Sequence, residues 1–184
     1  MATTTGWSAD KIMQGIVSAL EKAASGPPNG WALVRDAMSG LLTLREAMAR
    51  GDAPEPEELT RFRQRVAELL RTGRNPGQLA AYRGHVLVYA QRGRFDGYEP
   101  ASRGRSALQI LRDEFPVGDL FGDLARVDLE EIDEELADAA DEAPPILDVP
   151  SWVPESHWWW REPRRMDMSE EERRHRLYGG ELDR

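Results

Sequence analysis

The chain has 184 residues, no cysteine and a net charge of −9, and all but two of its 24 basic residues are arginine. That length suits one domain, or a small domain with a tail, and it is enough to bury a core without a disulfide or metal staple. The missing cysteines exclude a disulfide scaffold, a thiolate metal site and a cysteine nucleophile together, and they suit a reducing cytoplasm.

Residues 1–6 read as a disordered leader. The N-terminus lacks the basic segment and apolar run of a signal peptide, and no window approaches the roughly 18–20 apolar residues of a membrane span. From Trp7 the pattern turns helical, with Ile12, Met13, Ile16, Val17 and Leu20 on one stripe and Ser8 placed to cap the first turn. Gly26 to Gly30, with two prolines between them, ends that helix. A second helix is expected from Trp31 to Ala49, with an apolar arc wide enough to touch more than one neighbour. After the break at Gly51–Pro54, Glu55, Glu57 and Glu58 open a third helix at the positive end of its dipole. It turns Leu59, Phe62, Val66, Leu69 and Leu70 inward. A fourth follows Asn75-Pro76-Gly77 and runs to about Gln91, although residues 85–89 also have the composition of a short strand.

Arg92 to Arg105, RGRFDGYEPASRGR, reads as a glycine- and arginine-rich loop, followed by a short helix from Ser106 to Phe115. After a poorly patterned stretch, Asp128 is expected to open an acidic helix, with Glu131 three residues on as an imperfect capping box. From Pro144 to Pro163 five prolines exclude a helix or a central strand, yet this stretch holds Trp152, Trp158, Trp159 and Trp160. An arm that is both extended and apolar must find a groove, on its own bundle or on a partner. A last helix is expected at 169–177, with Ser169 as its N-cap. The expected fold is therefore all-α: an irregular bundle of about five to six helices over residues 7–143, then a Trp/Pro-rich arm over 144–184.

The charge along the chain inverts at Arg112/Asp113. Residues 61–112 carry eleven arginines against three acids, a net of +8, and residues 113–148 carry fourteen acids against one arginine, a net of −13. Two functional readings follow. In the first, the protein is a non-enzymatic adaptor or structural subunit of a larger assembly. Its acidic helix (Glu130, Glu131, Glu134) would steer it, and Trp152, His157, Trp158, Trp159, Trp160 and Arg161 would anchor the contact. The partner would be another protein with a basic surface or an apolar groove. In the second, Arg61, Arg65, Arg92, Arg94, Arg103 and Arg105 grip nucleic acid, with interleaved tyrosines stacking on bases and the acidic stretch competing for the same arginines.

Catalysis has no motif behind it. His85, His157 and His175 are far apart, and there is no phosphate-binding loop, nucleophile elbow or zinc signature. No catalytic residue, cofactor or metal is therefore assigned, and an enzyme is left only as a site that no motif reveals. His157, beside the tryptophans, would be a contact sensitive to pH near neutrality.

Overall fold

The computed structural model describes residues 7–26 and 30–179; the side chains of residues 94, 96 and 123–127 lie outside that description. The expected leader, the centre of the first turn (residues 27–29) and the last five residues of the arm also lie outside it. The fold is an all-α bundle. Among the described residues there are seven helices of nine or more residues and no strand.

Four helices stand where apolar periodicity puts them: α1 (Ala9–Ser25), α2 (Trp31–Ala49), α3 (Pro56–Leu70) and α4 (Asn75–Gln91). Each buries the stripe that defines it, from Ile12, Met13, Ile16 and Leu20 on α1 to Leu79, Tyr82 and Val86 on α4. The run 85–89 is helix, because its residues continue the spacing of Leu79 and Tyr82. Ser8 makes no side-chain cap. Its place is taken by Asp52, from the turn after α2, whose carboxylate accepts from the Ala9 amide at 2.9 Å. Asn75, wholly buried at the start of α4, donates to Leu20 O at 2.9 Å and Leu69 O at 2.8 Å. One side chain thus joins α1, α3 and α4.

The second half departs from expectation in two places. The loop expected at 92–105 is mostly helix: a short α5 (Gly93–Asp96), then α6 (Tyr98–Glu114). Pro100 is tolerated because it lies in the first turn of α6, where amide protons have no helical partner. Gly104 is needed because a Cβ there would sit 2.8 Å from Val86 Cγ2, so the residue that looks like a breaker lets α6 close onto α4. Gly97, between α5 and α6, has φ +107°, and a Cβ would lie 2.5 Å from Gly179 N. Only glycine permits both the conformation and the contact. The acidic helix α7 spans Asp123–Ala140, opening five residues before Asp128, which therefore lies within the helix and caps nothing.

The layers follow from the packing. α1 lies on α2 and α3, and α4 packs on α2, α6 and α7. α6 is the axis of the second half, meeting α2, α4 and α7 and then the arm, with ten of its seventeen residues buried. Past α7 the chain is extended and irregular until a 3₁₀ turn at Trp158–Trp160, and it ends in α8 (Glu170–Tyr178). Ser169 caps α8 as expected, accepting from Glu172 N at 3.2 Å. One apolar cluster runs from Ala9 to Trp160, so the core continues across residue 144 without a break.

Candidate functional site

The tryptophan turn is built into the bundle by hydrogen bonds from α6. Trp159 and Trp160 are 2% and 1% exposed. The Trp159 indole N–H reaches both Ser102 O at 3.1 Å and Ser106 Oγ at 3.0 Å, while the Trp160 N–H donates to Ser106 Oγ at 2.8 Å. The Tyr98 hydroxyl donates to Trp159 O at 2.9 Å. His157, 3% exposed, stacks on Trp159 with ring centres 4.7 Å apart, and its Nδ1 lies 3.1 Å from Ser106 Oγ.

Those contacts fix the protonation of the cluster. A serine hydroxyl has two lone pairs and one proton. Two indole donors occupy the lone pairs of Ser106, so its proton goes to His157 Nδ1, and a neutral ring carries its hydrogen on Nε2. Burial, and then the Arg105 cation, push the imidazole down to about 4. His157 is therefore uncharged near neutrality, where the sequence suggested a titrating contact. The serine–histidine pair has the residue types of a nucleophile and its base, but Ser106 is fully buried and its oxygen already accepts two hydrogen bonds. It joins the arm to the bundle.

Beside it, Arg105 is 3% exposed and grips Asp133 of α7 with a two-pronged contact, Nε to Oδ1 at 2.7 Å and Nη2 to Oδ2 at 2.9 Å. Its remaining arm donates to Gln109 at 2.8 Å, and its guanidinium lies 4.5 Å from the Trp159 ring centre. α6, α7 and the arm thus meet at one cation. Sequence reasoning did not single out Ser102, Ser106 or Gln109, and it weighed Asp133 only as one of a run of helical carboxylates that could hold a divalent metal. The available signal was helical spacing, Tyr98, Ser102, Ser106 and Gln109 at intervals of three and four, which becomes visible only once residues 98–114 are read as helix.

The other expected contact residues divide in two. Trp152 is 9% exposed and packs edge-on against Trp160 at 6.1 Å. Arg161 closes the strap on itself by donating to Pro154 O at 3.0 Å and Val153 O at 3.2 Å. Trp158 is half-buried, while Glu130, Glu131 and Glu134 stand on the exposed face of α7. The tryptophan turn packs against α7, so the two stretches expected to dock lie side by side.

The arginines of the basic stretch are dispersed and mostly engaged. Arg65 on α3 pairs with Glu21 at 2.8 Å, Arg103 on α6 with Glu99 at 3.3 Å, and Arg105 is sealed in the core. Arg61 and Arg92 are exposed on α3 and at the end of α4, and the Arg94 side chain lies outside the described residues. Across the inversion, Arg63 meets Glu114 at 2.7 Å, with Arg45 on the same carboxylate; Arg83 meets Asp128 at 3.0 Å and Arg112 meets Asp113 at 3.4 Å. The basic and acidic stretches thus meet at four points, Arg63–Glu114, Arg83–Asp128, Arg105–Asp133 and Arg112–Asp113. Among the described residues no group of three or more histidines and carboxylates is gathered to hold a metal ion, and no helix is long and apolar enough to cross a membrane. No family model, curated protein or solved structure matches the chain.

Proposed function

We propose that the protein is a non-enzymatic adaptor or structural subunit of a larger, bacterial, cytoplasmic assembly, and that it meets a partner protein with a basic surface through the outer face of α7 and the adjoining strap. The supporting observation is the two-sidedness of α7. Asp128 and Asp133 turn inward to Arg83 and Arg105, while Glu130, Glu131 and Glu134 face outward beside the tryptophan turn. In this reading Trp159 and Trp160 hold the strap in place and are not themselves offered to the partner. The outer strap, with Trp158 half-buried and Leu147 73% exposed, supplies the apolar part of the contact.

Glu131→Lys combined with Glu134→Lys reverses that face without touching the core. The wild type is expected to co-purify a partner from its native host in a manner that weakens with salt, as steering by a charged face requires. The double variant, with unchanged helicity and melting temperature, is expected to lose it. A set of co-purified proteins identical for both chains would sink the reading.

A further inference from the structure

A second feature lies away from α7. Between α2, α4 and α6 there is a cavity of about 180 Å³, with Arg35, Ser39, Tyr82, Tyr89, Glu99 and Arg103 among its lining residues. Leu42 and Val86 give it an apolar side. At about 30 Å³ per water it has room for about six waters, the size of one substituted ring.

Tyr82 lines this cavity with only 6% of its surface exposed. Among the described residues no group takes up its hydroxyl, and the oxygen is not sealed from solvent. What remains accessible of Tyr82 opens on this cavity. Burial holds the phenol well above its usual range, so it stays protonated and can donate. Arg35 and Arg103 line the same cavity and act on that oxygen in the opposite direction. Neither cation is fully committed. Arg35 meets only its neighbour Asp36, at 3.4 Å, and lies 5.4 Å from the Trp31 ring. Arg103 gives one nitrogen to Glu99 at 3.3 Å and another to Glu46 at 3.9 Å, leaving part of its five-donor fork unused. On the rim, Tyr89 is held edge-on by His85 at 4.6 Å, and His85 by Trp31 at 4.3 Å, a row of rings fixed in place at the surface.

We propose that this cavity binds a small organic anion, a carboxylate or phosphate monoester carried on a flat apolar ring, whose oxygen accepts from the Tyr82 hydroxyl between Arg35 and Arg103 and whose ring lies against Tyr89 and Val86. A cation is disfavoured by the two guanidinium groups, and a neutral ring offers them no counter-charge.

The test is calorimetric titration and saturation-transfer NMR of the full chain with benzoate and phenyl phosphate, with benzyl alcohol and inorganic phosphate as controls. At least one of the two ring anions is expected to bind. Tyr82→Phe should weaken that binding by at least about tenfold, the loss of a hydrogen bond to a charged group. The same change should leave the melting temperature unchanged or raised, since the lost hydroxyl has no protein partner. Arg35→Gln should weaken binding as well. Preference for phenyl phosphate identifies the phosphate ester as the ligand class, and preference for benzoate the carboxylate. Absence of binding at millimolar concentration, equal binding of either control, or unchanged binding to Tyr82→Phe overturns the proposal. None of these outcomes bears on the α7 contact.

Discussion

Ser106 does more than its size suggests. It accepts from two tryptophans that are 53 and 54 residues away in sequence and donates to a histidine 51 residues away. Protonating His157 would aim an N–H at an oxygen with no lone pair left and place a second cation near Arg105. The sign of the pH dependence follows. The folded ring titrates near 4 and the unfolded one near 6.5, so its contribution is fully present above about pH 6.5 and is lost as the pH falls to about 4. That loss is about 3 kcal/mol at most. His157→Gln keeps an acceptor for Ser106 but cannot titrate. Urea denaturation from pH 7 to pH 4 should therefore show the wild type losing stability more steeply, by up to one proton. Parallel curves would mean that His157 is not the titrating group.

At the scale of elements, α6 is where pattern reading and structure part. The helices α1 to α4 were legible because burial of one face leaves leucine, isoleucine, valine and methionine at intervals of three and four. The second half of α6 shows that signal in Leu108, Ile110 and Leu111 and was expected as helix, but the first half hides it. Its inner face holds Ser102, Gly104, Arg105 and Ser106, chosen to receive indole N–H groups, a close helix and a carboxylate, none of which registers as hydrophobic. The start of α7 was missed for a related reason, since its first turns lack a strong apolar stripe. The residue types of the arm were read as contact-forming, on its own bundle or on a partner, and the surface that Trp159 and Trp160 meet is the bundle's own α6. Which carboxylate an arginine meets was not legible at all, because it depends on how the helices are stacked. The pair Arg105–Asp133 joins two of these elements. Asp133→Ala strands a buried guanidinium and should cost about 3 kcal/mol in denaturant unfolding. Adding Arg105→Met, which removes the stranded charge, should recover much of that. Strict additivity of the two changes would show that the pair is not coupled.

For the whole molecule, the inversion at Arg112/Asp113 is a fold line. The two stretches close on each other through Arg63–Glu114, Arg83–Asp128 and Arg105–Asp133, while Glu130, Glu131 and Glu134 keep the outer face of α7 acidic. The arm belongs to that closure. Removing residues 144–184 takes away Trp159 and Trp160, each a loss of about 3–5 kcal/mol as a truncation to alanine, against a total of about 5–15 kcal/mol for a domain. The truncated chain is expected to bind ANS and to unfold without a cooperative transition. A sharp thermal melt for residues 1–143 would show that the bundle stands alone.

The position of the tryptophan turn along the chain also orders how the molecule is made. Tyr98, Ser102 and Ser106 are synthesised some fifty to sixty residues before the rings that cover them. A nascent chain ending before residue 150 therefore leaves this face of α6 uncovered, and incompletely packed chains of that kind are what chaperones and proteases engage. Only a chain translated through Trp160 can close it. The strap is thus the last part of the core to be made, and a copy that ends before it is expected to be digested faster by protease than the full chain.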